Sequence, residues 1–237
     1  MIQGKFLPIL ILPVVVSSLL AEEVYNLNFV APVQGHHPLA TIDDRAFSEE
    51  SPISPYANDG SAWNNMDILF KKVTMEDLSD SVGNLTAVSV SIAPDAAWSF
   101  ETNQQILRNY AFVKGLDPRK IVFDGLEPES VWNLYLISQG DVAGQGGTFT
   151  VDGVEKSATG SNPQATEWVE GDNYVLFSNV EADSSGSLSI DWTTPSGKDV
   201  RIVNGAQLVR IPEPTTYAMI VGVAALTVCF LRRRNRR

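Results

Sequence analysis

The chain is patterned in short runs that alternate apolar and polar residues, broken by turn residues, as expected of half-buried β-strands. Residues Val24 to Phe29 predict a first strand. Thr86 to Ile92 alternates with Val88, Val90 and Ile92 on one face. Val131 to Ile137 puts Trp132, Leu134 and Leu136 on one face and Tyr135 and Ile137 on the other, which predicts a strand covered on both sides or at a sheet centre. Tyr174 to Phe177 and Ser187 to Trp192 follow, the latter aiming Leu188, Ile190 and Trp192 the same way. Val200 to Val203 and Ala206 to Ile211 close the series.

The turns agree with this reading. Asp152-Gly153 lies between Thr148–Val151 and Val154–Ser157, a two-residue hairpin signal in which both turn residues take positive φ. Asn204-Gly205 gives the same signal, or else marks a bulge inside one long strand. Asp183 to Gly186 is a looser turn. Long helical periodicity is absent, and Gln104 to Tyr110 reads as a single helical turn. About ten strands without alternating helices predict an all-β body over residues 22–211, a two-sheet β-sandwich of jelly-roll type. Residues 34–62, rich in Pro, Ser and Asp, read as a long surface loop.

The two ends follow a different pattern. Residues 1–21 hold one base, Lys5, no acid, and an apolar run from Phe6 to Val16, then small residues before Glu22 and Glu23. That order predicts a secretory signal peptide, cut after Ala21 or after Ser18. From Thr215 to Leu231 there is no charge, and the arginines Arg232, Arg233, Arg234, Arg236 and Arg237 follow. Seventeen helical residues at ~1.5 Å each reach about 25 Å, slightly under a ~30 Å hydrocarbon core. Bilayer thinning and snorkelling arginines make up the difference, and the arginine cluster predicts a cytoplasmic C-terminus with the body outside.

Pro212, Glu213 and Pro214, a short apolar helix and a basic cluster stand in that order within the last 26 residues, 212–237. This resembles the PEP-CTERM sorting signal of exosortase substrates in Gram-negative bacteria. The resemblance implies recognition by an integral-membrane exosortase in the inner membrane, processing near the motif, and release at the cell surface. The same tail is also described as an ice-binding protein C-terminal domain, a name for the tail and not for the body. More loosely, Gly125-Leu126 to Pro128, the strand through Leu134 and Leu136, Gly171 to Phe177, Asp183 to Gly186, and Asn204 to Leu208 are similar to the closing half of galactose-binding-like jelly rolls.

Charge narrows the partners. The 237 residues carry 17 bases and 28 acids, net −11, and because the ends hold only bases, residues 22–214 carry net −17. This argues against nucleic-acid binding, which needs a basic footprint, and against docking of the body on an anionic membrane. The single cysteine, Cys229, lies in the apolar tail, so the body has no disulfide framework, zinc-finger spacing or thiol nucleophile. The two histidines, His36 and His37, are adjacent and in an extended segment point apart, which disfavours a chelate. The glycine-rich stretch Gly140–Gly147 has no Lys-Ser/Thr and no following helix, so it is a poor phosphate cradle.

The candidate chemistry is modest. Asp43-Asp44, Glu49-Glu50, Glu127 with Glu129, and Glu170 with Asp172 are paired carboxylates, but a glycosidase needs two carboxyls across a cleft, which sequence neighbours do not supply. Acidic and amide-rich loops offer oxygen ligands for a structural calcium, without an EF-hand pattern or nameable ligands. Trp132 and Trp192 fall on alternating strand faces and read as core, whereas Trp63, Tyr56 and Trp168 lie in polar, loop-like context and are the candidates for stacking on a sugar ring. The expectation is a non-enzymatic envelope protein with a structural, adhesive or polysaccharide-binding body. A carbohydrate-active enzyme on the same sandwich is the alternative.

Overall fold

The computed structural model describes residues 23–31, 55–56, 62–68, 72–100, 102 and 105–212. The predicted signal peptide, most of the 34–62 loop, Glu213, Pro214, the apolar run and the terminal arginines lie outside the described residues. Residues Glu23–Arg210 form one compact unit.

Its strands are β1 (Val24–Val30), β2 (Asn64–Asp67), β3 (Val73–Met75), β4 (Ser89–Ile92), β5 (Ala96–Ser99), β6 (Asn109–Lys114) and β7 (Arg119–Asp124). They continue with β8 (Val131–Ile137), β9 (Gly147–Val151), β10 (Val154–Ala158), β11 (Tyr174–Glu181), β12 (Leu188–Thr193), β13 (Val200–Val203) and β14 (Gly205–Arg210). A 3-10 turn, Gln105–Arg108, stands before β6, and no α-helix occurs among the described residues. The body is all-β, and its sheets are consistent with a β-sandwich. One sheet has the order β11-β8-β14-β1-β2, the second β10-β9-β12-β7-β4-β3, and a three-stranded sheet β13-β6-β5 flanks them. Within the first sheet only β1 and β2 run parallel.

The core is where alternation in the two large sheets meets. Trp132, Leu134 and Leu136 of β8 join Tyr25, Leu27 and Phe29 of β1 and Val175 and Phe177 of β11. In the same cluster are Ile121 and Phe123 of β7, Phe149 of β9, and Leu188, Ile190 and Trp192 of β12. The strand β8 lies inside its sheet between β11 and β14, as its two apolar faces require.

Both glycine turns are resolved by backbone geometry. Asp152 and Gly153 take φ of 49° and 77°, and Val151 pairs with Val154, so the β9–β10 hairpin is the expected one. Asn204-Gly205 is not a hairpin. β13 belongs to the three-stranded sheet and β14 to the five-stranded one, and the chain changes sheet at Asn204. Wholly buried Asn204 fastens that crossing: its Nδ2 is shared among the carbonyls of Leu107, Asn109 and Gln139 at 2.9–3.1 Å, and its Oδ1 accepts from Gln139 N at 2.6 Å. Gly205 is required by contact, since a Cβ there would lie 2.2 Å from the Leu27 carbonyl oxygen.

Buried Arg201 holds the neighbouring loop. Its guanidinium donates to the carbonyls of Gly115 (3.2 Å) and Asp117 and to Thr194 Oγ1 (3.1 Å), and lies 5.6 Å from the Trp192 ring centroid. Burial and the neighbouring Arg119 charge lower its pKa from the ordinary arginine value. At the ends of the body, Arg210 N donates to Glu23 O (2.8 Å), Arg210 Nη1 pairs with Glu23 Oε2 (2.9 Å), and Nη2 pairs with Glu127. Tyr25 OH donates to Glu23 Oε1 at 2.7 Å, and burial, with that carboxylate beside it, raises the phenol pKa.

Candidate functional site

The outer face of the five-stranded sheet carries polar and aromatic residues where the inner face carries the core. In register across it stand Leu176 on β11, Tyr135 on β8, Gln207 on β14 and Asn26 on β1. Asn26 and Gln207 are fully buried, so their amides need partners. Gln207 Nε2 donates to Asn26 Oδ1 (2.8 Å) and to the Tyr56 carbonyl (3.2 Å), while Tyr56 N donates to Gln207 Oε1 (3.1 Å). Asn26 Nδ2 donates to the Ala62 carbonyl at 3.1 Å, beside Trp63.

These amide bonds set the start of an aromatic row. The Tyr56 ring lies 5.9 Å from Tyr135, Tyr135 lies 6.2 Å from Tyr174, and Trp168 meets Tyr174 edge-on at 6.3 Å and 76°. These separations are those of interacting aromatic pairs, and the Trp168–Tyr174 pair has the favoured edge-to-face tilt. Trp63, Trp168 and Tyr174 pack on a second small cluster of Ile106, Leu107, Ile137 and Ala165, which lies on the outer face because Ile137 does. All of these rings are half-buried.

The structure thus brings Tyr56, Trp63 and Trp168 to one face of one sheet, together with Tyr135 and Tyr174. Gln207 and Asn26, which hold Tyr56 and the Trp63 segment, carried no signal in the sequence, because an amide inside a strand reads as solvent-facing. Tyr135 was legible as the residue opposite Trp132; that it faces Tyr56 depends on a contact far along the chain.

The Trp168 loop is held by side chains closing on its own backbone. Asn173 Oδ1 accepts from Val169 N (2.9 Å) and its Nδ2 donates to the Glu167 carbonyl (2.8 Å). Asp172 Oδ1 accepts from Thr159 Oγ1 and Ser161 N, both at 2.7 Å. Partial burial opposes the Asp172 charge, but the Ser161 and Thr159 bonds outweigh it and hold the carboxyl below its ordinary pKa. Partial burial, with the Glu170 charge nearby, raises the Tyr174 phenol. Lys156 Nζ reaches both Glu170 (3.1 Å) and the Leu176 carbonyl (2.6 Å), joining the β10 edge of the second sheet to β11 of the first.

Three of the four described paired carboxylates already have partners. Glu127 meets Arg210, Glu170 meets Lys156, and Asp172 serves its own loop. Glu129 sits in a turn at φ 61°. Asp43-Asp44, Glu49-Glu50, His36 and His37 lie outside the described residues. Among the described residues no group of three or more His, Cys, Asp or Glu is placed to hold a metal ion, and no helix is long and apolar enough to cross a membrane. The Gly140–Gly147 segment is a packed turn: Gly140, Gly146 and Gly147 are buried, and Gly140 N and Gly144 N donate to Gln145 O (2.9 Å) and Gly160 O (2.7 Å). No protein family, curated protein or solved structure matches this chain.

Proposed function

We infer that the protein is exported to the cell envelope and that its body binds polysaccharide there without catalysing a reaction. The targeting half of this reading rests on the sequence: a signal peptide at 1–21, the Pro212-Glu213-Pro214 motif, the apolar run Thr215–Leu231 and the arginine cluster. On that reading an exosortase in the inner membrane takes the tail, and the body, a galactose-binding-like jelly roll, is left at the surface. Intact-mass analysis of exported protein tests it. A body beginning near Glu22 and ending near Pro212–Pro214 is expected; retention of both Met1 and Arg237 overturns it.

One observation carries the binding half: Tyr56, Tyr135, Tyr174 and Trp168 form a continuous row on the outer face of the five-stranded sheet, outside the main core. Flat apolar rings suit the apolar face of a sugar ring. Glu167, Glu170 and Asp172 border the row, which favours a neutral glycan over a polyuronate on charge grounds. A glycan array read with wild type and Tyr135→Ala tests this. Binding of neutral glucan or galactan lost in the variant is the expected outcome, and absence of any glycan binding by wild type overturns the reading.

A further inference from the structure

We propose that Arg201, Arg119 and Trp192 bind one small inorganic anion, a chloride ion, at the end of the core between β7, β12 and β13. The site is separate from the aromatic row and depends on neither the targeting nor the glycan reading. Unpartnered donors and unbalanced charge carry it.

Strand pairing brings the three side chains together. Arg119 opens β7 and stands opposite Trp192 on β12, so both side chains leave the sheet on one face. Ile121, Phe123, Leu188 and Ile190 line the core from that face. Arg201 on β13 points the same way as the core residue Val203, two positions on. Its guanidinium lies 5.6 Å from the Trp192 ring centroid. Its Nη2 bonds the carbonyl of Asp117, two residues before Arg119.

Each of the three keeps a buried donor with no acceptor among the described residues. Arg201 Nη1 is used by Gly115 O and Thr194 Oγ1 and Nη2 by Asp117 O, while its Nε bonds nothing. Arg119 Nη2 reaches Asp95 at 3.5 Å near the surface, and its Nε is buried and unpartnered. Trp192 is fully buried and its Nε1 is unpartnered as well. Buried N–H groups without acceptors are costly, and all three of these can only donate.

Charge selects an anion over water. Arg201 is bonded to carbonyl and hydroxyl oxygens, with no carboxylate among its partners. Asp95 is paired with Arg119, and Asp117 meets Arg201 through its backbone carbonyl. The positive charge of Arg119 acts on Arg201 strongly enough to help lower its pKa, after burial itself. A buried guanidinium beside a second cation lacks a counter-charge. A halide supplies one negative charge, accepts several N–H bonds at once and has no proton of its own to place. The donor atoms are closed off from solvent, which favours a monatomic ion over phosphate or sulfate.

The test is the melting temperature of the full chain in detergent micelles, with sodium chloride replacing sodium fluoride at constant total salt. Fluoride is strongly hydrated and enters such a site poorly, and a general salting effect would favour it rather than chloride. The melting temperature should rise by a few degrees for each tenfold of chloride above its Kd. Arg201→Met should abolish the rise. Arg119→Gln, on a half-exposed side chain, should shift the response to several-fold higher chloride even if Arg201→Met fails to fold. In crystals grown from sodium bromide, the anomalous signal of bromide should lie within hydrogen-bond reach of Arg201 Nε. Equal melting in chloride and fluoride overturns the proposal, because water would then serve the three donors. An unchanged chloride response in Arg119→Gln, or bromide found only elsewhere, also overturns it.

Discussion

Gln207, in the centre of the five-stranded sheet, grips the backbone of Tyr56 at both its N–H (3.1 Å) and its carbonyl (3.2 Å). This one amide ties a loop residue to the last strand and sets the spacing of Tyr56 to Tyr135. Gln207→Leu keeps the volume and removes every bond. It leaves Asn26 Oδ1 without its donor, and an orphaned buried polar group costs about 1–3 kcal/mol. The urea midpoint should fall by a corresponding amount, with glycan binding weakened in parallel. An unchanged midpoint would mean that Tyr56 is held by other contacts.

Trp132 and Trp168 should behave as opposites. Trp132 is fully buried, donates from Nε1 to Ser130 Oγ at 2.7 Å, and packs 6.0 Å from Tyr25. Trp132→Ala empties a core position and should cost ~3–5 kcal/mol of stability. Trp168 is half-buried on the outer face, and its replacement by Ala should cost far less stability. If its ring stacks on sugar, glycan binding should weaken by ~0.5–1.5 kcal/mol. Equilibrium unfolding and a glycan titration on both variants separate the two roles.

Arg201 is a buried cation whose partners are carbonyls rather than a carboxylate. Arg201→Met keeps the apolar stem but leaves the Asp117 carbonyl without its donor, while the Gly115 carbonyl keeps only Thr194 Oγ1 at 2.8 Å. Hydrogen bonds to a charged group contribute about 1.5–3 kcal/mol, and a loss in that range is expected. Arg201→Lys cannot reproduce the planar fork and should recover only part of it. The Trp192 emission, read as its stacked guanidinium is lost, should shift in both variants. Full stability of Arg201→Met would show that water replaces the arginine without cost.

Where the apolar pattern was strict, the sequence was a reliable guide. β8, β12 and the β9–β10 hairpin were legible because alternation and turn chemistry pointed to one answer. Five strands were not legible, for local reasons. β2 reads Asn-Asn-Met-Asp, and Asn64 is a strand residue because its side chain bridges the Asn26 carbonyl (3.1 Å) and the Ser79 backbone. β3 and β5 are three and four residues long, too short to establish a period. β6 begins directly after the 3-10 turn, so helical and strand signals overlap at Tyr110. β7 has Arg119, Lys120 and Asp124 at its ends, which hide the Ile121 and Phe123 alternation. The aromatic row shows the same limit, since Tyr56, Trp63 and Trp168 were legible as a set of loop rings while their common face depends on long-range pairing.

Acid should weaken the Trp168 loop before it unfolds the core. The Asp172 carboxyl has a folded pKa below its ordinary value, held there against partial burial by the Ser161 and Thr159 bonds. A group whose folded pKa is depressed stabilises the fold fully above its unfolded pKa, about 4 for an aspartate. That contribution is lost as the pH falls from there through the folded value. Asp172→Asn keeps the shape and an acceptor oxygen but carries no charge at any pH. Wild type should therefore be the more stable of the two between about pH 5 and 7, and the gap should close as the pH is lowered past ~4. The Asp183 carboxyl, lowered by the Ser185 hydroxyl and the Ser185 and Ser187 backbone N–H groups, titrates in the same direction in both proteins and cancels from the comparison. Urea midpoints of the pair at a series of pH values measure the gap. A difference that stays constant down to pH 2 would show that the Asp172 bonds do not depend on its ionisation.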